Sequence, residues 1–185
     1  MSAIPGNPAA RTLLWTFVAA SMLSMLFLLL GAGETRAGDS EAARVEGPTL
    51  AKDSKRTKRL ERRVRGCTNR KRIKHGLPTL EPAKPLERAA SLHANSMSKD
   101  NFFDHIDRKG RDAADRVGLF GSKARYQPIG ENLAAGDLSA RKVCKAWMNS
   151  STHRANILDP GYEVIGVGYE RGGDYGSYYV QVFGR

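Results

Sequence analysis

Few side chains in this sequence could do chemistry. It holds four histidines (His75, His93, His105 and His153) and two cysteines (Cys67 and Cys144). Neither residue type nor spacing singles out one set, but His105, Glu131 and His153, for example, would together supply two imidazoles and a carboxylate. Those donor types can hold Zn²⁺ with one position left open for water, and an open position is what metal-assisted hydrolysis requires. The three lie far apart in the chain, with no short motif that sets two histidines on one helical turn. Only the fold could bring them together. The alternative is a metal-free hydrogen-bond network, with Glu131 accepting from an imidazole and Asn132 tying loops together. Ser150 and Ser151 precede His153, but a triad also needs a group that orients the base and donors for an oxyanion. The sequence shows neither. Cys144 falls on an apolar helical stripe, a poor setting for a thiolate. His93 shares a stripe with Leu86, Ala90 and Met97 and reads as a core residue. Phe102, Phe103, Trp147 and Phe183 read as core first and as cleft walls second.

These residues need elements to position them. A helix after Pro82 or Pro85 carries Leu86, Ala89, Ala90, His93, Ala94 and Met97 as one apolar stripe. The segment from Asn101 to His105 ends it. Asp107 to Gly110 is a turn, and Asp112 to Val117 a short helix closed by Gly118. Ile129 to Leu133 is a strand-like segment between Pro128 and Gly136. Ser139 caps a helix that turns Val143, Cys144 and Trp147 inward, and Ser150 to His153 breaks it into a turn, braced by Arg154 and Asn156. Val164 to Tyr169 and Tyr178 to Phe183, joined by the Gly-rich loop Arg171 to Gly176, form a closing hairpin. Helices first and a hairpin last imply an α+β domain. Cys67 and Cys144 lie on inward stripes of two helices. Outside the cytoplasm they could form a disulfide, whose loop closure contributes about 4 kcal/mol; two buried free thiols are the alternative.

The formal charge is +11, but it is concentrated in one segment. Residues 51–74 hold twelve basic and two acidic side chains, and residues 75–185 hold 15 basic against 13 acidic. The folded part is therefore nearly balanced, and no nucleic-acid partner is expected. The basic segment has two readings: attraction to anionic lipid or envelope polymer beside a membrane, or a solvated helix face. This helix should stop near Gly76, with Pro78 just beyond. Upstream, Thr12 to Gly33 carry no charge. About 20 such residues span one hydrocarbon thickness, and Arg11 before them and Gly31-Ala32-Gly33 after them fit a secretory leader. Cleavage and retention as an anchor both stay open. Either places the rest of the chain outside the cytoplasm.

The blocks Asn69-x-x-Arg72-x-x-x-Gly76-Leu77, Asn101-Phe102-Phe103-x-His105, Asp115-Arg116-Val117, Gly130-Glu131-Asn132-Leu133-Ala134 and Trp147-x-x-Ser150-x-x-His153-Arg154 occur in this order. In order and spread they resemble the bacterial branch of the CAP superfamily, whose unit is also called the SCP domain. The resemblance implies an α+β fold, a three-layer α-β-α sandwich with an open cleft, which two histidines and two acids face in many members. His105 matches the first histidine and Glu131 the acid of the Gly-Glu-Asn block. The second acid usually follows the helix tryptophan by three; here that position is Ser150. His153 stands in the bacterial histidine block, and its equivalence to the second histidine is inferred. Ser151-Thr152 replaces the Pro-Gly that bacterial members often carry.

The organisation expected is a signal peptide or membrane anchor over 1–33, a charged, disordered linker over 34–61 and the CAP domain over 62–185. The function expected is an exported or tethered binding module at the cell envelope. Its cleft, formed by His105, Glu131, His153, Asn132 and Ser150, would take a small molecule, a lipid or an envelope polymer. A metal-dependent hydrolase using Zn²⁺ on His105, His153 and Glu131 is one alternative. An adhesive, partner-binding domain with an inert cleft is the other.

Overall fold

The stripe that was read from Leu86 to Met97 is buried along its whole length, in a helix seated on a four-stranded sheet. The computed structural model describes residues 42–185 other than Ser122, with side chains from residue 54. The leader or anchor expected over 1–33 lies outside these residues. Among those described, no helix is long and apolar enough to cross a membrane.

Helix α1 runs over Ala42–Lys74. It begins well inside the segment expected to be linker (34–61), so from residue 42 onward the linker expectation is corrected. Ala, Lys, Arg, Leu and Glu are strong helix formers, and Lys58 Nζ meets Glu61 Oε2 at 2.8 Å one turn on. Val64 of the same helix is fully buried. The helix stops where expected: Gly76, with φ +71°, takes the left-handed conformation that ends helices. Strand β1 (Glu81–Pro82) and helix α2 (Lys84–Lys99) follow, with Pro85 in the first turn of α2. Next come α3 (Ala113–Gly118), a 3₁₀ turn over Lys123–Tyr126, and strand β2 (Gly130–Ala135). Asp112 caps α3 by accepting from the Asp115 amide at 2.8 Å. Helix α4 (Ala140–Asn149) is capped by Ser139, whose hydroxyl accepts from the Lys142 amide.

The turn expected over Ser150 to His153 is corrected. Ser150 alone is extended, and a new helix α5 (Ser151–Leu158) starts at the next residue. One residue that leaves helical geometry redirects the axis without ending helical structure. Strands β3 (Val164–Arg171) and β4 (Ser177–Gly184) close the chain as the expected hairpin.

The sheet order is β1-β3-β4-β2, with β1 parallel to β3 and the other pairs antiparallel. Alternation along the strands sorts side chains onto two faces. Val180, Val182 and Leu133 meet Leu86, Ala90, Met97 and Val117 of α2 and α3. Ile165, Val167, Tyr179 and Phe183 meet Val64, Val143, Trp147 and Ile157 of α1, α4 and α5. The fold is thus α+β, with an open sheet and a core on each side of it.

Two contacts hold the layers in place. At Gly166 and Gly168 any Cβ would run into the backbone of Leu86–Glu87 and of Ala90–Ser91, respectively. Helix α2 therefore rests on bare strand backbone. On the opposite side Cys67 of α1 and Cys144 of α4 form a disulfide, as the inward stripes suggested.

Candidate functional site

Glu131 sits on β2 opposite Val182, on the sheet face covered by α2 and α3. Its side chain is only 5% exposed, and both carboxylate oxygens are engaged. Arg116 of α3 donates to Oε2 at 2.6 Å. The imidazole of His105 meets Oε1 through Nδ1 at 2.8 Å. Arg116 is itself fully buried. Its guanidinium also donates to the carbonyls of His105, at 3.0 Å, and Arg111, at 2.6 Å. One buried arginine thus holds both the carboxylate and the loop that presents the imidazole.

The loop is anchored again from α2. His93, buried on the stripe as expected, meets the Asp104 carbonyl through Nε2 at 2.8 Å. Burial pushes its pKa down, which keeps the ring neutral, so Nε2 donates and Nδ1 is left as an acceptor. Phe102 is buried beside it, ring against ring. Phe103 is corrected from its expected core place: it is 44% exposed and lies against Tyr175 of the β3–β4 loop. Ile106 is 46% exposed. Two apolar side chains close to His105 in sequence therefore face solvent.

His105 is fixed by Nδ1 yet 57% exposed. With Nδ1–H donating to the carboxylate, Nε2 is left free of that bond, an acceptor in the neutral ring and a donor once the ring is protonated. The hydrogen bond to Glu131 raises the His105 pKa, with burial opposing it. His153, on α5 and half-buried, has its pKa lowered, first by burial and then by the nearby charge of His105. The lowered pKa of His153 thus carries a contribution from an imidazole of a different layer.

Asn132 and Ser150 stand apart from this arrangement. Asn132 points to the other sheet face and is fully buried. It donates to the His153 carbonyl at 3.1 Å and to Gln181 Oε1 at 3.2 Å, and accepts from Asn156 at 2.9 Å. Asn156 also donates to the Glu131 carbonyl at 3.0 Å. This relay seats α5, and with it His153, against β2. The Ser150 hydroxyl pairs with Thr152 Oγ1 at 3.1 Å; among the described residues no hydrogen bond joins it to His105, Glu131 or His153.

His105 and Glu131 form an oriented base without a hydroxyl nucleophile bonded to it. They also fit a Zn²⁺ ligand set poorly. Among the described residues no three His, Cys, Asp or Glu side chains are grouped to hold a metal. The Glu131 oxygens are occupied by a guanidinium and an imidazole, and a cation there would have to compete with the Arg116 charge.

Sequence reasoning assigned no role to Arg116 or Arg72. Arg72 belongs to the basic segment but is fully buried. It donates to the carbonyls of Pro78, Ile157, Asp159 and Tyr162 at 2.7 to 3.1 Å. For Arg116 the available signal was its place next to the buried Val117 on a short helix.

Comparison with known proteins agrees with this architecture. The model of the family described as "Cysteine-rich secretory protein family" (CAP) matches residues 66–183. The uncharacterized protein YkwD of Bacillus subtilis (strain 168) is 39% identical over 113 residues, 61% of this chain and 43% of that protein. The uncharacterized membrane protein YlbC of the same organism is 33% identical over 123 residues, 66% of this chain and 34% of that protein. The chain thus spans less than half the length of these relatives. Among solved structures, an extracellular protein containing a SCP domain from Bacillus anthracis str. Ames superposes with a TM-score of 0.62 at 28% identity. That match covers 70% of this chain and 41% of the other.

Proposed function

The chain belongs to the CAP, or cysteine-rich secretory protein, family, and on that premise we propose that it is an exported or membrane-tethered binding module of the cell envelope. The observation that carries this reading is the held but exposed imidazole of His105. A buried ion pair fixes it from behind, and exposed Phe103 and Ile106 lie close to it in sequence. A ring nitrogen free to bond, on a loop that also exposes apolar side chains, suits a ligand with both polar and apolar parts. Ligands of this kind include small molecules, lipids and envelope polymers.

Three observations support placement outside the cytoplasm. Disulfides persist in oxidising compartments, and Cys67 and Cys144 are bonded. The sequence carries an uncharged run over Thr12 to Gly33. The similar protein from Bacillus anthracis str. Ames is described as extracellular, and YlbC as a membrane protein.

The test is NMR mapping with short-chain phosphatidylglycerol and soluble cell-wall fragments as probes. Shift changes centred on His105, Glu131 and His153, and lost in His105→Ala, are the expected result. Shift changes confined to other surfaces, or unaltered by His105→Ala, would remove the proposal. Fractionation of expressing cells gives the location; protein recovered only from the cytosol would contradict export.

A further inference from the structure

We propose that a second site, the groove between α1 and α4, binds a linear polyanion whose charges are phosphodiesters and which carries no nucleobases. Arg59, Arg62, Arg63 and Arg70 of α1 and Arg141 at the start of α4 line a groove of about 680 Å³. No carboxylate is among its lining residues. All five arginines are exposed. Among the described residues none of them joins an ion pair, although Arg65, Arg111 and Arg116 do. Five mutually repelling cations held along one groove are complementary to an anionic occupant.

The residue types narrow the class. Every cation in the groove is arginine, whose planar fork meets two phosphate oxygens at once. Ser139 adds a hydroxyl at the N-terminus of α4. From Arg59 to Arg70 the helix rises about 16 Å, too long for one phosphate and suited to several along a chain. Gly66 and Cys67 also line the groove. A side chain at Gly66 would reach the Arg70 guanidinium at 3.4 Å. Gly66 leaves open a part of the groove into which a longer side chain would extend, and the disulfide at Cys67 holds the two helices together. A concave channel suits a polymer strand better than a flat bilayer. No aromatic side chain lines it, so the stacking that single-stranded nucleic acid uses is missing. This site is independent of the His105 site and stands or falls separately.

The experiment measures anisotropy of fluorescein-labelled poly(glycerol phosphate) with the full chain in a neutral detergent, at about 50 and about 200 mM salt. The expected result is binding that weakens steeply with salt, as counterion release requires. Arg63→Gln with Arg141→Gln should weaken it about tenfold. Gly66→Leu keeps every charge but fills the groove, and should weaken binding by a similar factor. Unchanged affinity in the double arginine variant would overturn the proposal. So would full binding by Gly66→Leu, since diffuse charge would then account for the attraction. Stronger competition by phosphatidylglycerol vesicles or by an oligonucleotide than by unlabelled polymer would also overturn it, in favour of a membrane or nucleic-acid partner. The His105 titration serves as the folding control for each variant.

Discussion

Replacing Arg116 with Met tests whether the candidate site is held from inside the fold. Arg116 is fully buried, Glu131 nearly so, and they meet at 2.6 Å. Removing one partner of such a pair strands the other charge, at a cost of about 3–5 kcal/mol. The Met variant also loses the donors to the His105 and Arg111 carbonyls, each worth about 1 kcal/mol net. We therefore expect Arg116→Met to lose about 5–7 kcal/mol, out of the roughly 5–15 kcal/mol of stability usual for a domain. Glu131→Gln leaves the guanidinium buried against a neutral amide and should cost about 3 kcal/mol. The double variant removes the pair as a unit. It should be more stable than the sum of the single losses implies, by about 2–3 kcal/mol. Urea unfolding followed by tryptophan fluorescence at one pH gives all three values. Additivity within about 0.5 kcal/mol would show that the two side chains do not depend on each other and would refute this account of the site.

Other consequences can be measured the same way. Gly168→Ala places a methyl group in the Ala90 backbone, so we expect a loss of about 3 kcal/mol or more by urea unfolding; a neutral result would mean α2 does not rest on β3. Reduction of the bond between Cys67 and Cys144, which are 77 residues apart, should cost about 4 kcal/mol in unfolding with and without reductant; equal stabilities would contradict a bond that constrains the chain. The two site histidines should give opposite pH dependences. The raised pKa of His105 contributes stability that is present below the ordinary value of about 6.5 and lost as pH rises through its folded value. The lowered pKa of His153 contributes stability that is present above about 6.5 and lost as pH falls. His105→Ala should thus remove more stability in mild acid than at higher pH, where only the bond of the neutral ring to Glu131 is lost, which unfolding at pH values on both sides would show; an equal loss at both would contradict the assignment.

Features set by local periodicity could be read from the sequence. The Leu86 to Met97 stripe, the Ser139 cap, the Gly76 stop and the closing hairpin each repeat at the spacing of their own element. Two such stripes allowed a bond between Cys67 and Cys144 and left free thiols as the alternative; the cysteines are bonded. What could not be read depends on contacts between distant segments. Arg72 and Arg116 look like surface bases in a chain this basic, and only the carbonyls and the carboxylate around them make burial tolerable. Strand β1 has two residues and exists because β3 pairs with it. Helix α5 follows α4 after a single extended residue, an interruption that a run of serines and threonine presents as a longer break. At the site, the resemblance to the CAP family named His105 and Glu131 as candidates. The arginine that locks them, and the relay through Asn132 that seats His153, come from register across the sheet.

The charge of His105 helps to lower the pKa of His153, a coupling between two imidazoles from distant parts of the chain. The direct measurement is an NMR titration of both imidazoles in the native protein and in His105→Ala. In the native protein we expect His105 to titrate above, and His153 below, the ordinary histidine value. In the variant the His153 midpoint should move up, because a neighbouring positive charge has been removed. A His153 midpoint that stays where it was, in a variant that is still folded, would contradict the convergence of the two groups.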